Sequence, residues 1–151
     1  MTIYKAPQDI SKRNSKQKSI FLAGSIEQGK ADNWQKYCEE KLSNTYTLFN
    51  PRRESWNPEL KQDIEEKEFN TQVNWELDAL EQADIIIMYL QPGTLSPISL
   101  LELGLMIKEK EILIICPEGF WRKGNVDIVA QRFNQKTFKS LETAISYLMK
   151  K

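Results

Sequence analysis

The sequence predicts a three-layer α/β fold built on a parallel sheet of about five strands. Short, unbroken apolar runs recur, above all DIIIMYL at 84–90 and EILIICP at 111–117. A strand without polar alternation is one covered on both faces, which is the situation inside a parallel sheet. Between these runs lie segments with apolar residues at helical spacing, so strands and helices alternate. The chain has 151 residues, 40% of them hydrophobic. That is enough for one domain with a real core and too little for two ordinary ones.

In order, SIFLAGSI at 19–26 reads as a buried strand with a Gly-Ser exit turn. ADNWQKYCEEKLS at 31–43 reads as a helix with Trp34, Tyr37, Cys38 and Leu42 at helical spacing, and YTLFNP at 46–51 as a strand stopped by Pro51. The charged stretch that follows is a connection, partly helical at 58–67. Residues 70–84 form a helix with Val73, Leu77 and Leu80 on one face, leading into the strand at 84–90. After the loop QPGTLSP come a helix at 98–110 and the strand at 111–117. The loop EGFWRKGN leads to a short helix near 125–133, a weak strand at 136–138 and a closing helix in SLETAISYLMK. Residues 1–18, polar and basic, are expected to be a flexible N-terminal segment preceding a domain at 19–151.

Composition removes several functions. Lys+Arg and Asp+Glu are 21 each, without the basic excess of a general nucleic-acid binder. There is no histidine, so Ser-His-Asp catalysis, Cys-His catalysis and histidine metal sites are excluded, and no metal or cofactor is expected. Acid–base or nucleophilic work falls to carboxylates, Tyr, Lys or Ser. Cys38 and Cys116 are far apart in sequence, as in a protein with reduced intracellular thiols. No apolar run approaches the roughly 18 residues of a membrane span, and no signal-peptide core precedes residue 19. A cytoplasmic protein is expected.

In an open parallel sheet, ligands bind beyond the carboxyl ends of the strands, so the loops there are the places to search. In the first, Gly24 and Gly29 flank Ser25, a turn able to hold an anion or a sugar hydroxyl or simply a tight βα connection. The second offers Arg52 and Arg53 for an anion and Trp56 to stack on a base, unless it is a solvated loop. In LSPISLLELG at 95–104, Pro97, Ser96 and Ser99 open a helix, and Glu102 follows between leucines. A carboxylate there is either on a solvent stripe or held as a nucleophile for a sugar carbon. On the preceding helix, Glu76 (beside Trp75 and Leu77), Asp78 and Glu81 are acidic, and one of them could supply a proton to a leaving base. Asp78 and Glu81 read as a solvated acidic face.

Taken together, FLAGSI, NPRR, QVNWELDALEQADIII, SPISLLELG and CPEGFWRKGNVDI, spread over residues 19–133, resemble the nucleoside 2-deoxyribosyltransferase-like superfamily, closest to its short phage and bacterial branch. The resemblance implies a flavodoxin-like fold, a nucleoside or nucleotide substrate, no nucleic-acid polymer and no membrane. It implies a homodimer or higher homo-oligomer whose subunits complete one another's active sites. It implies cleavage of the N-glycosidic bond of a 2′-deoxynucleoside or its 5′-monophosphate, with deoxyribosyl passed to another base or to water. The family's nucleophile falls on Glu102 and its acid on Glu76, where the family usually has Asp. Asn125 matches an Asn given to the neighbour's sugar site. Ser96 falls where transferases commonly carry Asp and monophosphate hydrolases carry a phosphate-binding Ser. Glu27 stands where those hydrolases have Arg, so Lys30, Arg52, Arg53 or Arg122 would have to offset it. Alternatives are an NAD or ribonucleotide glycohydrolase, a non-catalytic nucleotide-binding module, and a structural domain with a partner surface around Phe120 and Trp121.

Overall fold

The computed structural model describes residues 3–27, 31–55 and 57–151. Its elements run β1 (Ile3–Lys5), β2 (Ser19–Gly24), α1 (Trp34–Leu42), β3 (Thr47–Asn50), α2 (Lys67–Gln82), β4 (Ile85–Tyr89), α3 (Pro97–Met106), β5 (Glu111–Ile115), α4 (Lys123–Arg132), β6 (Lys136–Phe138) and α5 (Leu141–Met149). The six strands form one sheet in the order β1-β3-β2-β4-β5-β6, every pairing parallel. Without β1, this is the 2-1-3-4-5 order of flavodoxin-like proteins, whose direction of winding reverses between β2 and β4.

The apolar runs exist because each inner strand feeds two cores at once. Ile86 and Met88 of β4 join Phe21, Ala23, Ile112 and Ile114 in a cluster under α2, α3 and α4. Their neighbours Ile85 and Ile87 join Ile20, Leu22, Leu113 and Ile115 under α1 and α5. Side chains on a strand alternate between faces, so a strand buried on both can spare no position for a polar residue. The helices start at recognisable caps. The Asn33 side chain accepts from Lys36 N–H at 3.2 Å, Pro97 opens α3, and Ser140 forms a reciprocal cap with Thr143 on α5.

Two expectations change. The predicted sheet of about five strands gains a sixth, because Ile3–Lys5 pairs along β3. Residues after it continue across the α2 side: Ala6 and Ile10 are buried, and the Trp75 indole donates to Gln8 O at 2.8 Å. The stretch at 58–67 is not helical before Lys67. Asn57 and Asp63 side chains instead accept N–H groups two residues on, at 3.0 and 2.9 Å, closing local turns that compete with helix formation.

Candidate active site

Two loops meet where the winding reverses, one after β2 and one after β4. Gly24, at φ 140°, ends β2, and an added Cβ would run into the Tyr89 backbone carbonyl. Its glycine is therefore explained by close strand contact. Ser25 follows, its N–H on Tyr89 O at 2.9 Å. Its hydroxyl, fully buried, lies 2.7 Å from Ser96 Oγ and 2.9 Å from Thr94 Oγ1. Thr94 and Ser96 close the ring at 2.9 Å. Gln91 N–H donates into it at Ser25 Oγ, 2.8 Å, and Thr94 donates out to Gln91 O at 2.9 Å. Thr94 was not singled out in the sequence. Its signal was the spacing of two hydroxyls, Thr94 and Ser96, in a loop already marked as functional.

α3 descends from this ring with an inverted pattern. Ser99, Glu102, Leu103 and Met106 are its buried residues, at the i, i+3, i+4, i+7 spacing of one helix face. Ile98, Leu101 and Leu105 are 59%, 59% and 52% exposed. The carboxylate points inward and the neighbouring aliphatics point out. Leu103 and Met106 share its face, and Leu101 and Leu105 do not. Glu76 interrupts an apolar row in the same way, since it lies on the Val73–Leu77–Leu80 stripe of α2 and is half-buried.

The two acids feel one another. Glu102 is 7% exposed. Burial first, then the charge of Glu76, holds its carboxyl well above the usual carboxylate range. Burial pushes Glu76 up to about 7. No described residue donates a hydrogen bond or ion pair to Glu102. The start of α3 does little against this, because Glu102 lies beyond the first turn, where the dipole fades, while desolvation acts in full.

The other candidates divide. Arg52 reaches into the first loop, donating to Ala31 O at 2.8 Å, Asp32 O at 2.9 Å and Gln35 Oε1 at 3.3 Å. Arg53 pairs with Glu68 at 3.1 Å and lines a groove of about 400 Å³ with Pro7 and Gln72, which Glu102 and Glu76 do not enter. Asn125 is exposed on α4, on an outer surface of the chain. Phe120 is buried, so a surface built around it is corrected; Trp121 is exposed and donates to Leu95 O at 2.9 Å. Trp56, Gly29 and Lys30 lie outside the described residues. Among the described residues, no cluster of Cys, Asp and Glu is arranged for a metal ion, and no helix is long and apolar enough to cross a membrane.

A sequence model of the family described as "Nucleoside 2-deoxyribosyltransferase like" matches residues 17–120, more than half of the chain. Among solved structures, one described as "Crystal structure of conserved protein from Enterococcus faecalis V583" superposes with a TM-score of 0.64 at 12% sequence identity, covering 89% of this chain and 98% of that one. At that identity the likeness bears on the fold alone. No curated protein matches the chain at a significant level.

Proposed function

The chain belongs to the nucleoside 2-deoxyribosyltransferase-like family, and from that membership we propose that it cleaves the N-glycosidic bond of a 2′-deoxynucleoside or its 5′-monophosphate. Membership supports a glycosyl-transferring or hydrolysing role in general. The observation that carries the finer reading is Glu102: a carboxylate on the buried face of α3, 7% exposed, with no described donor and a second acid close enough to raise it further. Such a group is costly to the fold and is the kind of perturbed side chain that marks a working site.

In this reading the Glu102 carboxylate attacks C1′ of the sugar. The C1′–N bond breaks, its electron pair passes to the base nitrogen, and Glu76 delivers the proton the base needs. The result is a glycosyl ester on Glu102 with Glu76 ionised. In the second half, Glu76 takes a proton from an incoming base or a water molecule, whose nitrogen or oxygen displaces Glu102 from C1′. Two displacements retain configuration. The cycle starts with the proton on Glu76 and the charge on Glu102, the reverse of the order in which burial alone leaves them. Ser25, Ser96 and Ser99 line the start of α3 towards the sugar. Arg52 braces the loop that carries Ser25, and Trp56 and Arg53 belong to the following loop as candidate substrate contacts.

The active assembly is a homodimer or larger homo-oligomer joined through α3 and α4. Leu95, Ile98, Leu101 and Leu105 stand exposed beside Trp121 and Ile128. The two helices are tied at one end by the Trp121–Leu95 hydrogen bond and at the other by Lys108 Nζ over the Phe133 ring at 5.9 Å. Exposed apolar residues grouped on one face are the kind of surface that marks a protein–protein contact. Asn125 lies on the same helix and would be carried to the neighbour's site.

The deciding experiment is chromatographic. Purified protein is incubated with deoxynucleosides, their 5′-monophosphates, ribonucleotides and NAD, with and without a second free base. Free base released by the wild type and lost in Glu102→Ala is the expected result; exchange of bases would make the chain a transferase. Release from NAD or ribonucleotides alone, or retained activity in Glu102→Ala, would overturn the reading.

A further inference from the structure

The strap that runs from β1 across α2 has no part in the reaction above. Its residues 3–13 precede the stretch matched to the family, which begins at residue 17. They are fixed to the sheet all the same. Ile3–Lys5 pairs along β3, and the Ala6 N–H extends that pairing onto Asn50 O at 3.2 Å. Local turns then shape the strap: Lys5 N–H donates to Gln8 Oε1 at 2.7 Å and Ser11 N–H to Asp9 Oδ1 at 2.9 Å. Ala6 and Ile10 are buried in one cluster with Phe49, Trp75 and Ala79.

The strap grips α2 at two heights. At mid-helix the Trp75 indole, itself buried, donates to Gln8 O at 2.8 Å. At the end of the helix Arg13 Nη2 donates to Gln82 O at 3.2 Å, and the Arg13 guanidinium stands 5.6 Å from the centre of the Phe49 ring. Trp75 and Gln82 are seven residues apart, about 10 Å along a helix. Two ties so separated fix both the tilt and the rotation of α2, and Glu76 lies between them. The same face of the sheet carries α2, which joins β3 to β4, and α3, which joins β4 to β5. β1 lies beyond β3, so the strap and α3 flank α2 on opposite sides. Glu102, on α3, feels the charge of Glu76 across the inner side.

We infer that the strap is a positioning element of the active site: through Gln8 O and Arg13 it sets the rotation of α2, and so the placement of Glu76 as the acid that protonates the departing base. The inference rests on the glycosidase reading above. A proton donor works only within hydrogen-bond reach of its target. A misplacement of about 1 Å originating far from the chemistry can cost about 100-fold in rate, so a loosened strap should act on turnover before it acts on binding.

The test is a double-mutant cycle on the deoxynucleoside that the wild type cleaves fastest. Ile10→Asp puts a charge into the buried contact of the strap and releases it. Trp75→Phe keeps an aromatic ring and removes the indole N–H, and serves where Ile10→Asp does not fold. Either change should lower kcat at least about tenfold with KM little altered, and by less than about threefold when Glu76 is already Gln, because a positioning residue has nothing left to position. Single turnovers with enzyme in excess read the slow Glu76→Gln rates. Ile10→Val should keep wild-type turnover. An equal loss in both backgrounds would make the strap a support of the fold alone and overturn the inference, as would unchanged turnover in Ile10→Asp and Trp75→Phe. Hydrogen exchange at the α2 amides should quicken in both variants, and unchanged exchange would also overturn it. A wild type that cleaves no deoxynucleoside would refute the glycosidase reading, and exchange would still decide whether the strap holds α2.

Discussion

Replacing Glu76 by Gln should stabilise the protein in mildly alkaline solution while it removes activity. Burial raises Glu76 from 4.5 to about 7, so the folded chain holds this proton more tightly than the unfolded chain does. Stability then falls as pH rises from about 4.5 through about 7, because the unfolded state has already released a proton that the native state still keeps. A displacement of that size corresponds to about 3 kcal/mol. The half-buried side chain retains some water, which screens the charge, so a realistic share is about 1–2 kcal/mol. Glu102 adds in the same direction, since burial and the Glu76 charge both raise it; deleting the Glu76 charge relieves part of that as well. Urea unfolding of wild type and Glu76→Gln at pH 5 and pH 8 measures the effect. Other carboxylates titrate alike in both proteins and cancel in the difference. The variant should gain about 1–2 kcal/mol on the wild type between the two pH values, a rise in Tm of about 2–4 °C per kcal/mol for a chain of this size. A flat difference, or a variant that loses ground at pH 8, would refute the account of two buried acids in mutual repulsion.

Gly24→Ala should prevent folding, since the new Cβ would meet the Tyr89 carbonyl and φ 140° is closed to alanine; a circular dichroism spectrum like that of the wild type would contradict this. If the proposed assembly forms through α3 and α4, the wild type should run as an oligomer in light scattering and Ile98→Asp with Leu101→Asp as a monomer without a lower Tm; a monomeric wild type, or an unchanged mass in the variant, would contradict it. Gln135→Ala should cost about 2–3 kcal/mol in urea unfolding, because its side chain donates to Ile107 O and Lys110 O at 2.9 and 2.8 Å and accepts from Ile112 N–H at 3.0 Å. A loss below about 0.5 kcal/mol would show that water replaces it.

The sheet was legible because β4 and β5 have no polar position to spare, and their runs can be read as doubly covered strands. β1 was not, because three residues carry no periodicity and Ile3–Lys5 becomes a strand by pairing with β3, more than forty positions away. The region at 58–67 misled through its charged, helix-favouring composition, while Asn57 and Asp63 turned the backbone locally. At the site, Glu76 and Glu102 stood out as acids within apolar surroundings. The direction of the aliphatics around Glu102 was not legible, because α3 offers apolar residues on two faces and only the tertiary packing chooses which is covered. The hydroxyl ring and the Glu27–Ser96 bond join residues about seventy positions apart, and no local pattern announces such contacts.

Among the described residues, the sheet ends on both sides in its shortest strands, β1 and β6, of three residues each. An outer strand shows unpaired N–H and C=O groups to any passing chain, and a long flat one invites edge-to-edge growth into aggregates. Three residues give such a template almost no purchase, and β6 adds Lys136 at its exposed start. Self-association by strand addition is thereby discouraged at both margins. The exposed apolar residues lie instead on helices, whose backbone groups are already paired within the helix and offer no edge for a strand to extend.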